Sequence, residues 1–182
     1  MDIGGILKEV FLVIWILLPP YTANGLAVLV GGGIPIDFGK NFIDGKRIFG
    51  DGKTWRGLIL ASVLASICLT LQYLIESIKP IGPYHYIGLL NALTMGFSFG
   101  FFALLGDLFE SFLKRRLNLP RGYNVPIADQ LDFIISFIFF TYIFYRTWAI
   151  VWLTPVRVLL AYLITPPLHW GTNYLAYLLG KK

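Results

Sequence analysis

The sequence predicts an all-α integral membrane protein of about five transmembrane helices, and three observations carry that expectation. Of its 182 residues, 57% are hydrophobic and only 14% charged, with a mean hydropathy of +0.70, whereas about a quarter of a soluble domain is charged. Five apolar segments follow one another, each close to the roughly 20 residues that cross a bilayer. The remaining charge gathers in two loops. A soluble chain of this length would have too little polar surface to cover five such segments. No repeat or low-complexity tract divides the sequence, so residues 1–182 read as a single domain.

Segment one runs from about Ile6 to Val30 and is interrupted by Pro19-Pro20. A proline pair predicts a kink, tolerated in a membrane if neighbouring helices satisfy the freed carbonyls. Asp2 and Glu9 spoil a basic leader, and no small-x-small site follows, so this stretch is expected to remain as a span. Segments two and three cover about Leu58–Ile75 and Tyr86–Leu108. Segment four covers about Ile127–Tyr145 and segment five about Val158–Leu179, where Pro166-Pro167 predicts a break. The connections at 79–83 and 146–155 carry proline and read as turns.

Eleven of the fifteen Lys and Arg residues fall in 34–57, 110–126 and the C-terminal tail; Lys8, Lys79, Arg146 and Arg157 remain for the other side. The positive-inside rule then places both charged loops and the C-terminus in the cytoplasm, with the N-terminus outside. It also accounts for the net charge of +5 without nucleic acid as a partner. Cys68 is the single cysteine, which excludes a disulfide or a cysteine-based zinc site within the chain.

The chemistry is expected at residues 107–132. If 107–116 is helical, Asp107, Glu110, Ser111 and Lys114 share one face, and Asp129 and Asp132 share a face of the next helix. Ionisable groups at the margins of apolar spans face a cavity or one another, because facing lipid is costly. Four carboxylates from two successive helices, with Lys114, Arg115 and Arg116 between them, suit a divalent cation and a polyphosphate.

Residues 31–57 are rich in glycine, with Lys53, Thr54 and Arg56 as donors for phosphate oxygens. A phosphate near Lys53-Thr54 would meet the N-terminal end of segment two. Gly52-Lys53-Thr54 is not a P-loop, since that pattern needs glycine where Arg47 stands and no strand leads in. His85 and His169 join no cluster and read as packed or interfacial side chains.

At these residues the sequence resembles the CTP-dependent cytidylyltransferases of membrane lipid synthesis. Gly106-Asp107-Leu108-Phe109-Glu110-Ser111-Phe112-Leu113-Lys114-Arg115 and Asp129-Gln130-Leu131-Asp132 fit their two characteristic motifs. Lys53-Thr54-Trp55-Arg56-Gly57 is similar to a third element, with Arg56 where a glutamate is usual. Three elements of the bacterial diacylglycerol branch are missing: a Lys-Asp loop, a His-Gly-Gly and an Asp-Arg-x-Asp. Asp37-x-Gly39, Arg121-Gly122 and Asp129-Gln-x-Asp-Phe133 resemble instead the archaeal branch, the CDP-archaeol synthases.

The resemblance implies Mg²⁺-dependent transfer of CMP from CTP to 2,3-bis-O-geranylgeranylglyceryl phosphate, in the cell membrane and with the site facing the cytoplasm. Asp107 and Asp132 are then expected to bind Mg²⁺, with Asp129 and Glu110 assisting, and Lys114 joins Asp107 and Asp132 as catalytic. Lys53, Thr54, Arg56, Arg115, Arg116, Arg121 and Ser111 become candidates for nucleotide or lipid phosphate, and Asn24 and Asp37 for further contacts. Two rivals are a CDP-diacylglycerol synthase acting on phosphatidic acid and a small ion-coupled transporter. A transporter would place its acids near the bilayer midplane, commonly with repeat symmetry.

Overall fold

The computed structural model describes residues 2–120, 123, 125 and 127–178, without the side chains of Ala128 and of 169–178. Arg121, Lys181 and Lys182 therefore lie outside the described residues, as does the side chain of His169. Six helices follow in order: α1 (Ile3–Val30), α2 (Trp55–Ile78), α3 (Leu89–Arg116), α4 (Ala128–Phe144), α5 (Arg146–Trp152) and α6 (Pro155–Leu178). Among the described residues β pairing is limited to two isolated bridges, Pro35 with Thr54 and Asn41 with Arg47.

Helices α1, α2 and α3 are long and apolar enough to cross a membrane, and α5 with α6, bent by 77°, supplies up to one more. Helix α4 has 17 residues, about 26 Å at 1.5 Å per residue, slightly less than the roughly 30 Å of a hydrocarbon core. Over its described residues each of the five expected segments is helical, apart from 86–88, 127 and 145. The stretch at 146–155, expected to be a turn, contains the short helix α5. It begins at the Tyr145 carbonyl, which accepts from Ala149 N.

The proline pairs interrupt neither helix. Pro19 and Pro20 lie buried inside α1, and the carbonyls they release four residues earlier are those of Trp15 and Ile16. Gln72 Nε2 donates to Trp15 O at 2.7 Å, and Tyr84 OH makes a longer 3.5 Å bond to Ile16 O. Neighbouring elements thus repair the helix as the membrane requires. Helix α6 likewise runs through Pro166 and Pro167 instead of breaking there.

The bundle is centred on α3, which packs against α1, α2 and α4. A Cβ at Gly100 would lie 2.6 Å from Ala65 Cβ, and one at Gly96 2.8 Å from Ser66 Cα, so both glycines are needed for the approach of α2. Ser66 Oγ donates to Leu93 O across the same contact at 2.6 Å. Phe99 and Phe137, both fully buried, meet edge to face at 4.9 Å and join α3 to α4.

The opposite end of the bundle carries two further ionic features. Glu9 is clasped by Arg157 Nε at 2.6 Å and Nη2 at 3.1 Å, joining α1 to α6. Glu76 is 1% exposed and accepts from Trp15 Nε1, Tyr84 N and His85 N at 2.6–3.0 Å. These bonds organise the turn between α2 and α3, where His85 packs at Gly82 O.

Candidate active site

Two chain segments build the site: the last turns of α3 facing the first turns of α4, and the loop between α1 and α2. The α3–α4 junction is set by Gly106. A Cβ there would collide with the Asp132 carbonyl and lie 2.7 Å from Ser136 Cβ, so only glycine lets the backbones come this close. Ser136 Oγ donates to Phe102 O one turn earlier, at 2.7 Å. This contact places Asp107 beside Asp132. Carboxylate oxygens of Asp107, Glu110 and Asp132 all lie within 4.8 Å of one another, and each residue is half-buried.

Asp129 does not join this trio. Its Oδ2 is held by Lys114 Nζ at 2.8 Å and by Val125 N at 3.1 Å. Lys114 also pairs with Glu110 and donates to the Tyr123 carbonyl at 2.8 Å, bridging α3 to the segment before α4. Lys53 Nζ reaches Asp107 Oδ1 at 2.5 Å. Four carboxylates against two ammonium groups leave a formal charge of −2. One divalent cation would cancel it, and three converging carboxylate oxygens are a donor set that Mg²⁺ accepts. The residues present fit such an ion.

Beside Asp107 opens a small, solvent-open cleft of about 60 Å³. Lys53, Thr54 and Asp107 line its polar end, and Val28, Leu104 and Leu108 its apolar wall.

Several expected phosphate donors are engaged within the protein. Asp37, expected as a site contact, has a side chain with no exposure and organises the loop instead. It accepts from Arg47 Nη2 at 2.7 Å and Nε at 3.2 Å, and from Gly39, Phe49 and Gly50 N at 2.8–3.0 Å. Thr54 is the N-cap of α2, accepting from Gly57 N and Gly32 N at 3.1 and 3.2 Å. Trp55 N is taken by Ile34 O, so two amides of the expected anion site are already used.

Ser111 Oγ donates to Phe49 O at 2.9 Å. Arg116 clamps the loop by bonds to Asp44 and to the Lys46 and Arg47 carbonyls, with its guanidinium over Phe42 and Phe112. Arg115 donates to Pro120 O. Asp37, Ser111, Arg115 and Arg116 are thus each hydrogen-bonded within the protein in this structure. Arg56 is exposed on the first turn of α2, and Asn24 is half-buried on α1, one turn before the cleft residues Ala27 and Val28.

Fold and site together define a helical intramembrane enzyme with an acidic centre at one end of its bundle. The sequence matches the CarS-like family of CDP-archaeol synthases over residues 6–182. It is 45% identical over 169 residues to the CDP-archaeol synthase of Archaeoglobus fulgidus, covering 93% of each chain. Against that of Thermococcus gammatolerans it is 43% identical, covering 98% of this chain and 97% of the relative. A solved intramembrane enzyme for archaeal membrane lipids biosynthesis shares its fold, with a TM-score of 0.69 and 31% identity over 88% of this chain and 92% of that one. The chain belongs to the CDP-archaeol synthase family.

Proposed function

We propose that residues 1–182 form one catalytic domain that transfers CMP from CTP to the phosphate of 2,3-bis-O-geranylgeranylglyceryl phosphate. The products are CDP-archaeol and pyrophosphate. The observation that carries this reading is the convergence of Asp107, Glu110 and Asp132 from two helices, with Asp107 at the polar end of a cleft with an apolar wall. Such a site brings a water-borne triphosphate to a lipid phosphate at one edge of the bundle.

Asp107, Asp132 and Glu110 would hold Mg²⁺, and Asp129 fixes Lys114 next to them. The ion, when bound, withdraws charge from the phosphate oxygens. An oxygen of the lipid phosphate attacks the α-phosphorus, the bond to the bridging oxygen of the β-phosphate breaks, and pyrophosphate leaves with that electron pair. The nucleophile is already an anion, so no side chain need remove a proton. The protein's part is positioning and charge balance, with Lys53 and Lys114 as the basic groups paired with the acids and the exposed Arg56 as a further phosphate donor. The site faces the cytoplasm, where CTP is, and the chain crosses the cell membrane five times with its N-terminus outside.

The test is Mg²⁺-dependent incorporation of radiolabelled CTP into a chloroform-soluble product, with the geranylgeranyl ether phosphate and a saturated phosphatidic acid offered in parallel. The ether lipid is expected to be the better acceptor. Asp107→Asn and Asp132→Asn are each expected to lower turnover by about a hundredfold, roughly 2.7 kcal/mol. Turnover within about tenfold of wild type in both variants would remove the metal assignment.

A further inference from the structure

Lys53 stands at the one acid of the trio that a cation approaching from the cleft would meet first. Asp107 lines the cleft, and Lys53 Nζ lies 2.5 Å from its Oδ1. The second lysine of the centre is placed differently. Lys114 is locked between Glu110, Asp129 and the Tyr123 carbonyl. Lys53 Nζ has no acceptor other than Asp107 among the described residues.

We infer that Lys53 is a resident counter-ion: it keeps a bare divalent cation off Asp107 and yields the carboxylate only when a nucleoside triphosphate offers its ammonium replacement oxygens. This rests on the nucleotidyltransferase reading above for the identity of the incoming ligand.

The backbone of Lys53 is fixed on both sides. Its N–H donates to Gly50 O at 3.2 Å, its carbonyl accepts from Ile36 N at 2.8 Å, and the next residue caps α2. Only the flexible four-carbon stem is free to move, so the exchange needs no loop opening. An ammonium and a divalent cation sharing one carboxylate repel each other, more strongly in a half-buried site than in water. Triphosphate oxygens remove the conflict by accepting the ammonium in charge-assisted bonds. Linkage makes the coupling reciprocal: nucleotide tightens metal binding by the factor by which metal tightens nucleotide binding.

The experiment is equilibrium dialysis of the purified full-length protein with Mn²⁺, with and without CTP and without lipid acceptor, corrected for Mn²⁺ held by free CTP. Wild type is expected to bind Mn²⁺ about tenfold more tightly when CTP is present. Lys53→Met is expected to bind Mn²⁺ alone about tenfold more tightly than wild type, and to lose most of the gain that CTP confers. Lys53→Arg keeps the charge and is expected to follow wild type. Adding Asp107→Asn to Lys53→Met is expected to abolish its tighter Mn²⁺ binding.

The inference is overturned by wild-type Mn²⁺ affinity that ignores CTP, by Lys53→Met binding Mn²⁺ alone no better than wild type, or by Lys53→Arg behaving as Lys53→Met does. Failure of the enzymatic reading shows elsewhere, as wild-type protein that moves no label from CTP into lipid while its Mn²⁺ binding still answers to Lys53.

Discussion

Asp37 and Asp107 lie at the same end of the molecule, and their surroundings give them opposite tasks. Burial alone would raise the Asp37 carboxyl, but Arg47 and the amides of Gly50, Phe49 and Gly39 outweigh it and hold it well below the ordinary 3.8. A carboxylate lowered in the folded state adds stability that is complete above its unfolded value. That stability is lost as pH falls below 3.8 toward the depressed native value. Asp37→Asn is therefore expected to melt lower at neutral pH, by about 3 kcal/mol, and to lose less stability than wild type on acidification. Circular dichroism melts at pH 7 and pH 3 check both. The acids of the centre were legible in the sequence, because spacings of three along two helices fix their faces. The partners that Asp37, Thr54, Ser111 and Arg116 find within the protein were not. A donor that holds a loop and a donor that holds a phosphate have the same composition, and only the partner distinguishes them. Glu76 escaped notice as the lone acid ending an apolar segment, although a carboxylate in that position must find donors.

Among the elements, the α3–α4 contact decides whether the acids meet. Gly106→Ala would press a methyl group against the Asp132 carbonyl and push the helices apart. The expected result is a loss of about 2 kcal/mol together with at least about a tenfold loss of CMP transfer, as the carboxylates separate. Thermal melting and the radiolabel assay read the two effects separately; full activity with unchanged stability would contradict this account of the junction. Helices α1 to α4 were readable from apolar length alone. That α1 continues through its proline pair was also legible, but not which groups repair it, since they lie far away in sequence: Gln72 and Tyr84 answer for Trp15 and Ile16. The break expected at Pro166-Pro167 does not occur in α6. Helix α5 was hidden by its length of 7 residues, too few to show a period.

At the scale of the whole molecule, contacts join the loop between α1 and α2 to the last turns of α3 at one end of the bundle: Lys53 with Asp107, Phe49 with Ser111, and Asp44 with Arg116. Glu9, Arg157 and Glu76 mark the other end. With basic residues concentrated at the first end, the positive-inside rule predicts that it faces the cytoplasm. Cysteines placed at the exposed Ile43 and Ile78, in a Cys68→Ala background, test this in intact cells. A membrane-impermeant thiol reagent is expected to label position 78 and to reach position 43 only after lysis; the reverse pattern would invert the topology.

The segment from Gly31 to Thr54 wraps its backbone around one aspartate and is bolted to α3 by Arg116, Lys46 and Ser111. Its shape is held by hydrogen bonds within the protein. A nucleotide bound there, as the proposed function requires, would give up its own freedom without also having to freeze two dozen wandering residues, because that entropy is surrendered once, when the chain folds.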